Sequence, residues 1–307
     1  MIGIIGAMKV ELEALKARLQ DVTVTRISGV DFYSGKLHGT DVVAAVSGVG
    51  KVFSAVCAQT MVLKFGVKAI INTGVAGGLS PNLKLGEVAI ASQVCQHDMD
   101  TSGVGDPKGL ISGINKVFID ADPLWVAKAE KAAQKLGIHT ETGVIASGDQ
   151  FVCDTDRKAW IRDFFRAEAV EMEGAAIGQV CFVNEIPFVV IRSISDDASG
   201  HAPVSYESFF KEAAQRAVAL TEEMLKEAWE HSKAEGLFLE LVEGANFAKS
   251  PFCILDEFFR FLLLNGFQAF RNFFFKTEES NWDKTSPKST RNAPLADQTV
   301  RFSPRIK

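Results

Sequence analysis

Residues 187–197, which read P-F-V-V-I-R-S-I-S-D-D, constrain the fold of this chain most strongly. An apolar run follows Pro187 without polar alternation, which is typical of a strand buried on both faces of a parallel sheet. The run continues directly into a cation, two hydroxyls and two carboxylates, so these groups lie at the carboxyl end of the predicted strand. Ligands bind at that end of open α/β sheets. The segment therefore predicts a parallel sheet with a site at its edge.

Predicted strands and helices alternate along most of the chain. The predicted strands cover residues 2–5, 67–72, 87–94 and 143–146, with an early antiparallel hairpin over 31–39 and 41–46. Residues 73–78 are predicted to be a glycine-rich loop. One predicted helix follows residues 6–8, and a second follows the glycine-rich loop at 47–51 and extends to about residue 65. Three more cover residues 123–136, 173–183 and 206–232. This alternation predicts an α/β domain, three-layer α/β/α around a central twisted mixed sheet, over residues 1–232.

The composition changes in the extension, residues 233–307. Residues 252–275 are rich in phenylalanine, but charged residues interrupt them, which excludes a membrane span there. Residues 278–307 are polar with scattered prolines and are predicted to be partly disordered. No catalytic pattern occurs in the extension, which we expect to be an added docking surface or a stretch unrelated to the core activity.

Charge and cysteine usage exclude several classes of partner. A net charge of -5 gives no basic surface for nucleic acid or for an anionic membrane. The five cysteines are scattered without a C-x-x-C motif, which indicates reduced thiols in a cytoplasmic protein. The first residues, M-I-G-I-I-G, are interpreted as a strand and not as a signal peptide. For His97, beside Gln96 and Asp98, local hydrogen bonding is favoured over metal binding.

Acidic residues occur after several predicted strands. Glu11 follows the first strand, V-E-M-E-G occupies 170–174, and Asp196 ends the 187–197 segment, while Phe151 follows the 143–146 strand. A carboxylic acid, a carboxylate base and an aromatic stacking surface suit cleavage of a bond to a sugar anomeric carbon. Acidic strand ends also bind magnesium and phosphates, so the pattern by itself leaves that alternative open.

Five motifs occur in an order and spacing that resemble one protein family. They are I-G-I-I-G-A-M-x-x-E at 2–11, N-T-G-V-A-G-G at 72–78, S-G-D-Q-F-V at 147–152, V-E-M-E-G-A-A at 170–176 and R-S-I-S-D at 192–196. Together they resemble the 5′-methylthioadenosine/S-adenosylhomocysteine nucleosidases of the purine nucleoside phosphorylase/hydrolase superfamily, over about residues 1–230. Each motif is weak alone, but the set is highly specific.

The resemblance implies a nucleoside phosphorylase/hydrolase-like fold and hydrolysis of the N-glycosidic bond of methylthioadenosine and S-adenosylhomocysteine. The products are adenine and the 5′-thio-ribose, and some relatives accept 5′-deoxyadenosine or aminodeoxyfutalosine. No metal or organic cofactor is implied. Dimerisation is expected, because in this family a loop of the partner subunit, here residues 101–113, completes each site.

The resemblance also implies catalytic roles. Asp196 is the general acid that protonates N7 of adenine, which requires its carboxyl to hold a proton, and Ser195 helps to hold that carboxyl. Glu11 orients and deprotonates the attacking water, and Arg192 lies near enough to fix both. Asp197 is instead predicted to cap a following helix.

The substrate-binding residues follow from the same resemblance. Glu173 accepts hydrogen bonds from the ribose hydroxyls, Met172 packs against the ribose, Phe151 stacks on adenine, and the backbone of Val152 contacts the Watson–Crick edge of the base. Alternation leaves Glu171 as an alternative to Glu173, and the family match alone selects Glu173. The remaining residues expected around the ligand are Met8, Val49, Val75, Ala76, Gly77 and Val104.

Two of these residues depart from the family pattern. Val75 occupies a position that is often serine, and Val104 lies where the partner loop commonly supplies an aromatic side chain. With Val49, they predict a roomier pocket for the 5′ group, which would accept larger 5′-substituted adenosines as readily as methylthioadenosine.

Two other functions fit this sequence less well than hydrolysis. A nucleoside phosphorylase needs cationic donors for phosphate, but the turn after the first strand contains Glu11 and no arginine, so hydrolysis is favoured. A nucleoside-binding sensor is disfavoured, because a pure binder needs no acid and base on opposite sides of one bond.

Overall fold

The computed structural model describes residues 1–196 and 209–226. Its strands are β1 Ile2–Gly6, β2 Gln20–Ile27, β3 Val30–Leu37, β4 Thr40–Val46, β5 Ile70–Gly78, β6 Val88–Gln96, β7 Phe118–Asp120, β8 Thr140–Ser147, β9 Ala167–Glu171 and β10 Phe188–Asp196. Its α-helices are α1 Glu13–Lys16, α2 Lys51–Phe65, α3 Pro123–Leu136, α4 Thr155–Phe165, α5 Gly174–Val183 and α6, residues 209–226. Short 3-10 turns cover Lys9–Glu11 and Ser102–Val104.

The sheet consists of an open part and a closed ring that share β5. The open part has the order β2-β3-β4-β1-β5, with β1 parallel to both β4 and β5. The ring runs from β5 through β10, β6, β8 and β9 and returns to β5, where Gly77 pairs with Val170. Parallel and antiparallel pairs both occur, so the predicted α/β fold with a mixed sheet is confirmed.

Helices cover both faces of the sheet, because adjacent strand residues point to opposite sides. Ile5 and Val190 belong to the core that contains residues of α2 and α5. Their neighbours Ile4 and Val189 belong to the core that contains residues of α1, α3 and α6. The three predicted layers follow from this alternation.

Helix α3 has the bounds that the sequence predicted. Asp122 accepts hydrogen bonds from the backbone N–H groups of Leu124 and Trp125, Pro123 occupies the first turn, and Gly137 ends the helix with φ 66°. These three signals are local, which is why pattern alone found both ends.

Other boundaries differ from the prediction. Residues 73–78 were predicted to be a glycine-rich loop, but they form the second half of β5, because they pair with β10 and β9. The first helix is broken into the 3-10 turn Lys9–Glu11 and the four-residue α1. Strand β2 and helix α4 were not predicted.

The predicted domain boundary at residue 232, the extension 233–307 and the capping role of Asp197 lie outside the described residues. Within the described ranges, none of the helices has the length and apolarity needed to cross a bilayer.

Candidate active site

Strand β5 brings the predicted site residues together. Its carboxyl half lies beside β10, with Gly74 opposite Arg192 and Gly77 opposite Asp196. Glu11 follows β1, which pairs with β5 on the other side, and Glu173 follows β9, which meets the end of β5. The three carboxylates that the sequence singled out therefore surround one strand end, the location where ligands bind in such sheets.

Glu11 is held by the backbone of two segments. Its Oε2 accepts a hydrogen bond from Met8 N at 2.8 Å, and its Oε1 accepts one from Val75 N at 3.3 Å. The carboxyl is 3% exposed. Burial raises the pKa of Glu11 above its usual value, although the Arg192 charge and the backbone hydrogen bonds oppose that shift. A raised pKa makes this carboxylate a better base than a solvated one.

Two glycines of β5 make room for the carboxylates. A Cβ atom at Gly74 would lie 2.7 Å from Glu11 Oε1 and 3.1 Å from Arg192 Nη1. A Cβ atom at Gly77 would lie 3.0 Å from Asp196 Oδ2. The glycine-rich sequence of β5 thus reflects close approach of charged side chains to a strand, and not a loop.

Arg192 is fixed by Glu171, the residue that pattern reading could not separate from Glu173. Arg192 Nε donates to Glu171 Oε2 at 3.1 Å, Nη2 donates to the same oxygen, and Nη2 also donates to Asn72 Oδ1 at 2.6 Å. Glu171 further accepts hydrogen bonds from Gly174 N and Ser147 Oγ. Burial opposes its ionisation, yet the Arg192 charge and these hydrogen bonds hold the pKa of Glu171 below its usual value.

Glu173 lies beside the Arg192–Glu171 pair and contacts the backbone before α2. Its Oε1 accepts a hydrogen bond from Gly50 N, the amide before α2, at 2.8 Å, and its Oε2 lies 3.7 Å from Arg192 Nη2. Burial and the neighbouring Glu171 charge raise the pKa of Glu173 to about 7, against the opposing charge of Arg192. Glu171 thus positions Arg192, whereas Glu173 keeps a carboxyl that titrates near neutrality.

Asp196, at the end of β10, pairs with a residue that the sequence analysis missed. Its Oδ2 accepts a hydrogen bond from Lys158 Nζ at 2.7 Å, and its Oδ1 accepts one from Ser195 Oγ at 3.2 Å. Lys158 lies on α4 at the spacing of the buried residues Ile161 and Phe165. A lysine on an apolar helix stripe is the sequence signal that would have found it.

The apolar residues expected around the ligand differ from these carboxylates in exposure. Phe151 is 51% exposed, Val49 46% and Val104 83%, whereas Val152 is buried. Val104 lies in the Ser102–Val104 turn of the loop that was expected to reach a partner subunit. The charged groups are therefore buried, whereas Phe151, Val49 and Val104 lie at the surface.

The Gln96–Asp98 segment makes the local hydrogen bonds that were predicted for it. Lys51 Nζ donates to Asp98 Oδ1 at 2.7 Å and to Gln96 Oε1 at 3.1 Å, and His97 Nδ1 lies 3.3 Å from an Arg157 nitrogen. Burial lowers the pKa of His97. The network ties the start of α2 to the end of β6 and so fixes the Gly50 amide that contacts Glu173.

Comparison with known proteins places this arrangement in a family. The sequence-family model described as the phosphorylase superfamily matches residues 1–229 of this chain. A 5′-methylthioadenosine/S-adenosylhomocysteine nucleosidase from a Marinomonas species is 41% identical over 228 residues, which are 74% of this chain and 98% of the relative.

Solved structures agree with the sequence relatives. The Neisseria meningitidis 5′-methylthioadenosine/S-adenosylhomocysteine nucleosidase in complex with methylthio-immucillin-A has a TM-score of 0.71 at 37% identity, covering 74% of this chain and 98% of that chain. The Helicobacter pylori futalosine hydrolase has the same TM-score, 0.71, at 37% identity, covering 74% and 97%. The chain therefore belongs to the phosphorylase superfamily and, within it, to the family of the 5′-methylthioadenosine/S-adenosylhomocysteine nucleosidases.

Proposed function

We propose that this protein is an N-glycosidase that hydrolyses methylthioadenosine and S-adenosylhomocysteine to adenine and the 5′-thio-ribose. The observation that supports this most is the placement of three buried carboxyl groups, Glu11, Glu173 and Asp196, around the end of β5. Burying three acids is costly for the fold, and carboxyls whose pKa values are raised by burial, as for Glu11 and Glu173, are typical of catalytic sites.

Bond cleavage begins at Asp196. Its carboxyl protonates N7 of adenine, so that the C–N bond electrons leave with a neutral base. Ser195 Oγ donates to Oδ1 of this carboxyl at 3.2 Å and lies 3.3 Å from Ala76 O, which keeps the acid beside β5. The cationic sugar that remains is stabilised by the Glu173 carboxylate, which accepts hydrogen bonds from the ribose hydroxyls.

Water is activated by Glu11. The raised pKa of this carboxylate suits a base, and its fixed hydrogen bonds to Met8 and Val75 orient it. Arg192 acts on Glu11 through charge, while its hydrogen bonds are made to Glu171 and Asn72. A carboxylate at this position repels phosphate, which favours hydrolysis over phosphorolysis.

The 5′ group is expected to be less restricted than the adenine and ribose. Val75 offers no hydroxyl, and the exposed Val104 and Val49 are small apolar residues. The solved relative named futalosine hydrolase supports including aminodeoxyfutalosine among the substrates tested, beside 5′-deoxyadenosine.

The proposed assembly is a homodimer in which residues 101–113 of one protomer complete the site of the other. Exposed apolar side chains on α2, Val52, Phe53, Val56 and Leu63, support it, since such surfaces commonly mark interfaces. We place the protein in the cytoplasm, which agrees with the free cysteines Cys57, Cys95 and Cys181.

The proposal is tested by adenine release from methylthioadenosine in phosphate-free buffer, with S-adenosylhomocysteine, aminodeoxyfutalosine and inosine in parallel. We expect adenine without phosphate and no hypoxanthine from inosine. Asp196→Asn and Glu11→Gln should each lose at least about 100-fold in kcat, since each removes a proton-transfer group, while Glu11→Gln still binds ligand. Release that depends on added phosphate would make the protein a phosphorylase, and no release under either condition would favour a binding protein.

A further inference from the structure

Lys158 and Asp196 form an ion pair that is almost fully enclosed by protein. Lys158 Nζ lies 2.7 Å from Asp196 Oδ2, and the two side chains are 1% and 3% exposed. Gly77 closes the same oxygen from β5, since a Cβ atom there would lie 3.0 Å away. The ammonium therefore contacts the carboxyl that is proposed to protonate the leaving base.

A buried lysine at this position lowers the stability of the fold. Removing an ammonium ion from water costs several kcal/mol, and well-packed apolar residues often replace such pairs without loss of stability. Lys158 is also the fourth residue of α4, near the helix end whose dipole disfavours a cation. Packing with Ile161 and Phe165 would be served by leucine or methionine, so the charge calls for a functional explanation.

The hydrogen bonds of Asp196 present a problem for its role as an acid. Both of its oxygens accept hydrogen bonds, Oδ1 from Ser195 and Oδ2 from Lys158, which is the pattern of an ionised carboxylate. A general acid must instead hold a proton when the bond breaks. The proton nearest to the carboxylate is on Lys158 Nζ.

We propose that Lys158 is the positioning residue that holds the acid's proton and passes it to Asp196 when substrate is bound. This inference rests on the proposed function. The pair then exists in two forms, ammonium with carboxylate and amine with carboxylic acid, which share a single proton. The second form donates to N7 of the purine, and the first holds Asp196 in place against Gly77.

The proposed step balances. One proton moves from Lys158 Nζ to Asp196 Oδ2, and a proton on Asp196 moves to N7 as the C–N bond breaks and its electron pair goes to the purine. A C–O bond forms between the sugar and water, whose proton goes to Glu11. Exchange of that proton with solvent and reprotonation of Lys158 restore the starting state.

Among the described residues, the other charged groups of the site have hydrogen-bond partners of their own. On β10 and β9, Arg192 and Glu171 bind each other; Glu173 accepts from Gly50 N, and Glu11 accepts from Met8 N and Val75 N. On α4, the Arg157 guanidinium lies 4.2 Å from the Trp160 ring centre.

The test compares Lys158→Met, Lys158→Arg and the wild-type full chain with methylthioadenosine as substrate. Lys158→Met should lose about 100-fold in kcat, the usual contribution of a positioned acid, with KM changed less than about threefold. Lys158→Arg keeps the charge, but a guanidinium does not give up its proton, so kcat should stay low while thermal stability returns toward wild type. Arg162→Met, which removes an exposed cation from the same helix, should behave as wild type.

Two outcomes would overturn the proposal. Near-wild-type kcat in Lys158→Arg would reduce Lys158 to a neutralising charge, and near-wild-type kcat in Lys158→Met would leave it without a role in turnover. If either variant fails to fold, the 15N chemical shift of Lys158 Nζ in the wild-type protein tests the proton exchange instead. The shift should indicate an ammonium in the free protein and an amine when a non-hydrolysable methylthioadenosine analogue is bound. An unchanged shift would contradict the proposal. This readout needs no turnover, so it separates failure of the proton exchange from failure of the proposed activity.

Discussion

At the scale of single residues, the buried charges around the end of β5 differ in their partners. Glu171 and Arg192 bind each other, and Asn72 Oδ1 accepts a further hydrogen bond from the same guanidinium. Glu173 is two residues from Glu171 but has a different electrostatic environment, because the Glu171 charge and burial raise its pKa to about 7. Two identical side chains at the end of β9 therefore have pKa values shifted in opposite directions.

Replacement of Glu173 by glutamine tests how much the ionised Glu173 lowers the free energy of unfolding. The pKa of Glu173 is about 7 in the folded protein and ordinarily 4.5, so stability from its protonated form is present below pH 4.5 and is lost as pH rises through 7. The total loss is on the order of 3 kcal/mol. Glu173→Gln should therefore be more stable than wild type at pH 8 and similar at pH 4, as measured by urea unfolding.

The same variant should lose activity, about 100-fold in kcat/KM, because an amide stabilises the cationic sugar poorly. Glu13→Gln, which changes an exposed acid near the site sequence, is the matched control and should alter neither property. A stability profile for Glu173→Gln that follows wild type at both pH values would show that Glu173 is not strained by ionisation.

Part of this site is predictable from the sequence. Glu11, Glu173 and Asp196 were expected near each other because each follows a predicted strand, and strand ends meet at one edge of a sheet. The pattern alone does not separate Glu171 from Glu173, because which acid faces Arg192 depends on strand pairing over 21 residues of sequence separation. Lys158 was missed because its partner lies 38 residues away on β10.

At the scale of elements, β5 is the strand on which the site depends. It contributes to the open sheet and to the ring, and its glycines let Glu11 and Asp196 approach the backbone. Periodicity placed the first half of this strand correctly. The second half was misassigned because glycines usually mark turns, whereas here they mark contact with side chains from β10 and from the turn after β1.

Gly74→Ala tests the importance of this close approach. The added methyl group would lie 2.7 Å from Glu11 Oε1, so this carboxyl must move. Overpacking of this kind costs about 1–3 kcal/mol, and a shift of about 1 Å in the proposed base should lower kcat about 100-fold.

Kinetics with methylthioadenosine and thermal melts measure both effects. Val24→Ile, which adds a methyl group at an exposed position of β2 away from the site, is the control. Wild-type kcat in Gly74→Ala would mean that the position of Glu11 is not critical.

At the scale of the whole molecule, the proposed dimer joins two surface features. Val52 and Val56 form an exposed apolar stripe on α2, whose first residues adjoin the Gly50 amide that binds Glu173. The turn that carries Val104 is likewise exposed. If both features were buried in a homodimer, each site would be complete only in the assembled dimer.

Val52→Glu should weaken the dimer, because a carboxylate would be buried in the interface. Sedimentation velocity should then detect monomer at micromolar concentration, and specific activity should fall on dilution. Leu124→Glu, at an exposed apolar position on α3, is the control and should leave assembly unchanged. A wild-type protein that is monomeric and fully active would contradict the proposed assembly.

The contrast in burial between the charged and the apolar parts of the site bears on how such enzymes diverge. Glu11, Glu173 and Asp196 are buried at strand ends, where a substitution disturbs many neighbours. Phe151, Val49 and Val104 are attached to surface segments, where a substitution disturbs few. If these segments contact the 5′ group as proposed, selection can change the accepted 5′ group through them without altering the buried acids, so that one framework acquires new metabolic assignments.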